Sequence, residues 1–188
     1  MTIEPAEPSP PGPGVRLIDR TLVIDAAPER VYLLLTTADG LVRWMAPHAD
    51  VDAVVDGVIT WRHANGDTVS GRFVDLVPGR RVVFTYGWDR QDVGIPPGST
   101  TVDITLTPLP GPDGDRTELH LVHRGLSGPM AAAHDGGWAN YLARLALVAE
   151  GRDPGPDVLA HQRVPSARPG PRTTTRHDAP EAFPERDL

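Results

Sequence analysis

The chain has 188 residues, of which 39% are hydrophobic and 23% are charged, and this composition is typical of a single globular domain of ordinary size. The formal net charge of -7 argues against nucleic acid or an acidic membrane surface as a partner, because either polyanion would repel the chain as a whole. The absence of cysteine excludes disulfides, thiolate nucleophiles and thiolate metal sites.

The two ends of the chain differ in composition from its middle. Residues 1–14 are rich in proline and nearly devoid of apolar side chains, which predicts a disordered leader without the features of a signal peptide. Residues 152–188 show no apolar periodicity and predict a disordered tail rich in proline and arginine. No apolar run approaches the ~20 residues that span a bilayer. We therefore expect one folded domain over residues 15–151 in a cytoplasmic protein.

The folded part is predicted to begin with a strand and two short helices. Residues 15–26 predict the strand. Ala27-Pro28-Glu29 predicts a helix start, because proline suits the first turn and glutamate complements the helix dipole. Leu41 begins a second helical turn that should end near Pro47.

A period of two follows and is typical of antiparallel strands. Residues 54–63 and 68–77 flank Ala64-Asn65-Gly66-Asp67, and an Asn-Gly pair between alternating runs predicts a hairpin. Such strands have one apolar and one polar face. Further strands are predicted over residues 81–88, 100–109 and 116–124.

One long helical pattern covers residues 134–150. Trp138, Tyr141, Leu142, Leu145 and Ala149 recur on one stripe of a 3.6-residue period. A sheet with one apolar face is the natural surface for this stripe. The pattern therefore predicts an α+β fold in which helices cover one face of an antiparallel sheet.

The start of this helix is open between two positions. One is Asp135, and the other is Ser127, which Pro129 follows two residues later. Gly136 and Gly137 are unexpected near a helix start, because each costs roughly 1 kcal/mol relative to alanine in a helix interior. We interpret the two glycines as a place where another part of the backbone approaches closely.

Several groups of residues, in this order along the chain, resemble one protein family. They are Ala27-Pro28-Glu29-Arg30-Val31-Tyr32, Leu41 with Trp44 and Pro47, Gly71 to Trp88 (GRFVDLVPGRRVVFTYGW), Thr117 to Gly125 (TELHLVHRG), and His134 with Gly137-Trp138, Leu142 and Leu145. Over residues 16–151 the sequence resembles the activator of heat-shock protein ATPase homologue family, in its C-terminal-type domain, within the START-like or SRPBCC superfamily.

The resemblance implies a helix-grip fold, in which a curved antiparallel sheet wraps around the long C-terminal helix. A cavity lies between sheet and helix in such proteins. Members of the superfamily use it to hold apolar or amphipathic ligands, and some cyclise or dehydrate polyketides. Eukaryotic co-chaperone activators carry a separate N-terminal domain that contacts the chaperone, whereas a proline-rich leader stands here, which makes a chaperone partner doubtful.

The candidate ligand-binding residues are the side chains expected to face that cavity. Aromatic residues at strand and helix spacing more often form an ordinary core, so both interpretations stay open. The candidates are Trp44, Trp61, Phe84, Tyr86, Trp88, Leu121, His123, Trp138 and Tyr141.

His123 is the candidate for catalysis. Strand alternation places it on the face turned toward the helix, where an imidazole could orient a ligand or act as a general acid or base. The alternative is a structural histidine bonded to a backbone carbonyl. His120 and His123 should face opposite ways, so we predict no metal site through them. For His134 we favour a structural role over catalysis, either as a helix cap or through a hydrogen bond across to a neighbouring strand, and for His48 simple exposure.

No nucleotide-binding loop, nucleophile elbow or zinc-protease motif occurs, and we predict no cofactor. The first hypothesis is a domain that holds a small apolar or amphipathic ligand without chemistry. The second is a cyclase or hydratase that uses His123, assisted by Tyr86 or Arg124. The third is a protein-binding module that uses the outer face of the sheet. The oligomeric state stays open, a homodimer included.

Overall fold

The fold was analysed in a computed structural model, which describes residues 15–111 and 115–167. Seven strands form one antiparallel sheet, in the spatial order β1-β7-β6-β5-β4-β3-β2. The strands are β1 (Val15–Ile24), β2 (His48–Val51), β3 (Val58–Arg62), β4 (Thr68–Val77), β5 (Arg81–Tyr86), β6 (Thr100–Leu109) and β7 (Arg116–Ser127).

Three α-helices accompany the sheet: α1 (Pro28–Thr36), α2 (Ala38–Leu41) and α3 (Gly128–Ala149). Helices α1 and α3 contact each other and pack against the sheet, with α3 beside β1 and β7. The curved sheet and the long C-terminal helix confirm the predicted α+β helix-grip architecture. None of the helices in the described part of the chain combines the length and the apolar character needed to cross a bilayer.

The long helix begins earlier than its strongest pattern indicates. Ser127 is the N-cap and Pro129 lies in the first turn, so the earlier of the two predicted starts is correct. All five residues of the predicted stripe are buried: Trp138, Tyr141, Leu142, Leu145 and Ala149. This stripe forms one wall of the hydrophobic core.

The strand predictions were correct in type and less so in length. Strands β4 and β6 match their predicted bounds, and the Asn65-Gly66 turn joins β3 to β4 as expected. The edge strand β2 was not predicted, because its four residues alternate only between exposed and half-buried positions and show no clear apolar pattern. Strand β3 is shorter than predicted, since residues 52–57 form a turn.

The outer face of the sheet carries several ion pairs beside a few valines, Val83 and Val122 among them. Arg81 on β5 forms ion pairs with Asp75 on β4 and Asp103 on β6, and Arg124 on β7 lies 3.8 Å from the same Asp103. The inner faces of these strands carry the core. The alternation therefore separates a charged outer surface from an apolar interior, as it does in antiparallel sheets with one solvated face.

The chain beyond α3 differs from its prediction. Residues 152–167, called the strap below, were predicted to be disordered, but they fold back along α3 and the β3–β4 hairpin. Their contacts are mostly hydrogen bonds to backbone carbonyls, which no hydrophobic pattern reveals. Leu159 and Val164 add apolar contacts with the core. The predicted leader over residues 1–14 and the tail beyond residue 167 lie outside the described residues.

Candidate functional site

A cavity of about 430 Å³ lies between the sheet, helix α3 and the strap. Ligand pockets in proteins commonly measure about 300–1,000 Å³, so this one suits a small organic molecule. Its lining residues are Met45, Trp61, His63, Asn65, Tyr86, Trp88, Ala133, His134, Gly136, Gly137, Trp138, Tyr141, Leu159, Gln162, Arg163, Val164 and Pro165.

Three tryptophan–histidine pairs stand in and behind the cavity wall. In each pair the indole N–H donates to an imidazole nitrogen, and that nitrogen must be unprotonated to accept. The other ring nitrogen then carries the proton and donates to a different group. The pairs and their N···N distances are Trp61–His63 at 3.1 Å, Trp88–His134 at 2.9 Å and Trp138–His123 at 3.1 Å.

The two fully buried histidines have both ring nitrogens occupied. His134 accepts at Nε2 and donates from Nδ1 to the carbonyl of Met130 over 2.8 Å. His123 accepts at Nδ1 and donates from Nε2 to Thr100 Oγ1 over 2.9 Å, and Thr100 donates onward to the carbonyl of Tyr86. The hydrogen bonds thus fix one neutral tautomer of each ring.

His63 links the β3–β4 hairpin to α3 and the strap. Its Nδ1 faces the hydroxyl of Tyr141 over 3.2 Å, and that hydroxyl donates to Asp157 Oδ2 over 3.1 Å. Since the hydroxyl of Tyr141 donates its proton to a carboxylate, its oxygen accepts a hydrogen bond from the Nδ1–H of His63. Asp157 Oδ1 accepts further bonds from Asn140 and from the backbone N–H of Leu159. The carboxylate therefore fastens the strap to the helix.

Burial lowers the pKa of all three imidazoles. For His123 the pKa falls to about 3, first because burial disfavours the charged ring and second because His134 lies nearby. Burial also lowers the pKa of His134, against a smaller opposing effect of its bond to Met130. For His63 burial again dominates, although Asp157 and Asp67 favour the charged form. All three rings are neutral at physiological pH.

Tyr86 contributes a polar group that the protein does not use. The residue lines the cavity and is only 4% exposed. Its hydroxyl forms no hydrogen bond with any residue of the described ranges. Burial, and next the neighbouring Tyr141, raise the pKa of Tyr86 well above its ordinary value, so the phenol keeps its proton. It can donate a hydrogen bond to an occupant of the cavity.

Arg90 anchors the far end of the strap. Its guanidinium pairs with Asp67 of the hairpin and with Asp92, and it donates to the carbonyl of Val164 over 3.3 Å. The hydrogen bonds to Asp92 raise the pKa of Arg90 and lower that of Asp92 to about 2. The backbone N–H of Ala167 adds a bond to the carbonyl of Asp92 over 2.8 Å. The strap is thus held at both ends of the cavity.

Five of the nine sequence-predicted residues line the cavity. They are Trp61, Tyr86, Trp88, Trp138 and Tyr141. The other four do not reach it, because they lie deeper in the core of the sheet and helices. These four are Trp44, Phe84, Leu121 and His123.

His123 was assigned the correct face of the sheet but lies outside the cavity. It is fully buried against Tyr86 and Trp138, with ring centroids 4.7 Å and 6.1 Å away. The predicted bond to a backbone carbonyl is replaced by bonds to side chains. Arg124, its predicted assistant, is exposed on the outer face of the sheet. His120 also lies on that outer face, bonded to Asp19, as the alternation predicts.

The polar part of the lining was not predicted from the sequence. His63 shares a strand face with Trp61, two residues away, and this spacing could have indicated it. The residues of the strap carried no such signal. His134 was correctly expected to hydrogen-bond across to the sheet, with Trp88 as its partner.

The interpretation of the helix glycines was wrong. A Cβ atom placed on Gly136 or Gly137 would meet no atom within 4 Å, so no backbone approaches them. Both residues line the cavity instead, and Gly137 lies on the helix face between His134 and Tyr141. The missing side chains leave this part of the cavity open.

Comparison with known proteins assigns the family. The model of the family described as Activator of Hsp90 ATPase homolog 1-like protein matches residues 25–150. The chain belongs to this family. None of the curated proteins matches it in sequence. The match ends at α3, so the strap lies beyond the part that the family model describes.

Solved structures of the family share the fold. The solution structure of an AHSA1-like protein from Rhizobium etli is 33% identical, with a TM-score of 0.56, and the match covers 84% of this chain and 96% of that one. A protein from Chromobacterium violaceum is 28% identical with a TM-score of 0.56, covering 71% and 96%. The Aha1 dimer of Colwellia psychrerythraea is 24% identical with a TM-score of 0.62, covering 72% and 96%.

Proposed function

We propose that this protein binds a small amphipathic molecule in the cavity beneath the strap and carries out no chemistry on it. The observation that supports this most is Tyr86, which lines an aromatic cavity of about 430 Å³ and whose hydroxyl has no hydrogen-bond partner among the described residues. A donor of this kind gains about 0.5–1.5 kcal/mol net when it forms a hydrogen bond, so a ligand acceptor at this point is favourable. The ligand would carry an apolar ring system with one hydrogen-bond acceptor.

Binding is favoured over catalysis by the state of the neighbouring polar groups. A general acid or base needs an accessible atom and a pKa near the working pH. Both nitrogens of His123 and of His134 are engaged in hydrogen bonds, and burial keeps both rings neutral. No second polar side chain of the described part orients the hydroxyl of Tyr86. A single donor of this kind suits recognition of a carbonyl or ether oxygen.

The polar outer face argues against a protein partner there. The Colwellia relative is described as an Aha1 dimer. A docking surface usually has an apolar centre. On the outer face of the middle strands Val83 and Val122 are almost fully covered, and the groups left exposed beside them are the ion pairs of Arg81 with Asp75 and Asp103. We therefore place ligand binding ahead of a co-chaperone role.

The proposal is tested with two fluorescent probes of similar size. Prodan carries a ketone, whereas N-phenylnaphthylamine has no carbonyl group. We expect each to bind the full chain with one site per protein, measured by the rise in probe fluorescence on titration. Absence of saturable binding of both probes would contradict the proposed function.

Tyr86→Phe is expected to weaken the binding of prodan roughly fivefold, the value of a typical hydrogen bond. Binding of N-phenylnaphthylamine should stay unchanged, because that probe offers no carbonyl oxygen to the phenol. Tyr32→Phe is the matched control, since Tyr32 lies on α1 and does not line the cavity. Equal weakening of both probes would assign Tyr86 to the packing of the wall and not to recognition.

A further inference from the structure

We infer that the ligand of this cavity is an organic anion, such as an aromatic carboxylate, whose charged group binds Arg163 of the strap. This inference rests on the proposed function and adds the charge of the ligand to it. Arg163 is the one ionised side chain among the cavity-lining residues of the described chain. It lies in the strap, outside the part of the chain that the family model matches.

Arg163 has no partner within the described residues. It takes part in no hydrogen bond or ion pair there. The other two arginines that contact the strap are both engaged. Arg90 pairs with Asp67 and Asp92, and Arg144 donates to the carbonyls of Pro154 and Gly155. Arg163 is thus left available to an anion from outside the chain.

Hydrogen bonds hold the backbone on both sides of Arg163. The carbonyl of Gln162 accepts from Asn65 Nδ2 over 2.7 Å, and the carbonyl of Val164 accepts from Arg90 over 3.3 Å. Val164 is also packed against the core. The guanidinium is therefore attached to a held segment at the cavity mouth and is not on a free chain end.

The charged side chains around the opening of the cavity leave it with a need for a cation if an anion is to bind. Arg90 offsets only one of the two negative charges of Asp67 and Asp92, and Asp157 keeps its charge while it accepts hydrogen bonds from Tyr141 and Asn140. His63 is neutral because burial lowers its pKa. The chain as a whole carries a net charge of -7 and would repel an anion. A cation at the opening, here Arg163, would attract an anionic ligand against this repulsion.

Together these groups define a ligand with two polar ends. Tyr86 donates a hydrogen bond inside the cavity, the aromatic wall of Trp61, Trp88 and Trp138 covers the ring system, and Arg163 binds the acid group at the opening. Arginine binds a carboxylate or sulfonate with two parallel N–H donors, which also fixes the direction in which the ligand enters.

The test uses two probes that share one ring skeleton. Anilinonaphthalene sulfonate and N-phenylnaphthylamine differ by the sulfonate group, which stands in for the acid group. At low ionic strength the full chain should bind the sulfonate about three- to fivefold more tightly than the neutral amine, the usual strength of an accessible ion pair. The preference should decrease as salt is added.

Arg163→Gln is expected to abolish this preference and to leave binding of the neutral amine unchanged. Arg62→Gln is the matched control, because it removes the same charge from the exposed last residue of β3, which does not line the cavity. This variant should keep the preference for the sulfonate. If both variants behave alike, or if the unaltered chain binds the two probes equally, the inference is overturned while ligand binding stands. If neither probe binds, the proposed function is overturned and this inference with it.

Discussion

The free energy of unfolding is expected to fall steeply as the pH drops below 6.5. Three histidines drive this loss, because His63, His123 and His134 are neutral in the folded chain and would be protonated in the unfolded one. Each contributes up to about 1.4 kcal/mol per pH unit. Domains of this kind are stable by only ~5–15 kcal/mol, so the change is large.

The direction follows from where the protons bind. A histidine whose pKa is lower in the folded state binds fewer protons there than in the unfolded state at any pH between the two pKa values. Its contribution is fully present above the unfolded value near 6.5 and is lost as the pH falls toward the folded value. For His123 this window extends from 6.5 down to about 3. A charged ring would also bring a second N–H donor against the indole of Trp138.

The measurement is urea unfolding followed by circular dichroism at several pH values from 7.5 down to about 5. His123→Gln keeps a neutral acceptor for the indole, so it should reduce the slope below pH 6.5, by up to about 1.4 kcal/mol per pH unit as the pH approaches 5. His48→Gln is the control, because His48 is exposed on the edge strand β2 and should leave the slope unchanged. A stability that does not vary between pH 7.5 and 5 would show that the rings titrate normally.

The fold was predictable because its signals are local and agree with one another. The two-residue alternation of β4 and β6, the Asn65-Gly66 turn and the stripe on α3 each specify one element and one buried face. The resemblance to a known family then supplied the arrangement of these elements. The missed strand β2 is short and lies at the sheet edge, where burial imposes only a weak pattern.

The cavity was only partly predictable because its shape depends on contacts between distant segments. Trp88 meets His134, and Trp138 meets His123, across turns and strands that no short-range pattern connects. The aromatic residues alone could not show which of them line a space and which fill the core. Trp61 lines the cavity, whereas Phe84, two strands away and 6.2 Å from it between ring centroids, belongs to the interior.

The strap was beyond sequence reasoning for a different reason. A hydrophobic pattern reports side-chain burial, but this segment is held mainly by arginine and asparagine side chains that bind its carbonyl groups. Any sequence has carbonyl groups, so this part of the anchoring leaves no trace in the strap, and Asp157 of the strap meets its partners Tyr141 and Asn140 only once the segment lies beside α3. The signal lies in the residues that bind it, Arg90 and Arg144 among them, and these are uninformative until the fold is known.

Gly137→Leu is expected to weaken the binding of N-phenylnaphthylamine by more than about tenfold while leaving the chain folded, because the added side chain occupies the space that the probe needs. The position accepts a side chain without a clash, since a Cβ atom there meets nothing within 4 Å. Ala139→Leu is the control, because Ala139 is exposed on the same helix and does not line the cavity. Binding should be measured by probe fluorescence and folding by circular dichroism.

The smaller change Gly137→Ala separates the effect of the glycine on the stability of the helix from its effect on the space available to the probe. Replacing glycine by alanine within a helix stabilises it by about 1 kcal/mol, so the melting temperature should rise by ~2–4 °C. The single methyl group should affect probe binding far less than leucine does. If Gly137→Leu bound the probe as tightly as the unaltered chain, the probe would be sitting elsewhere. Gly137 thus lowers the stability of α3 while its missing side chain leaves open volume on the cavity face of the helix.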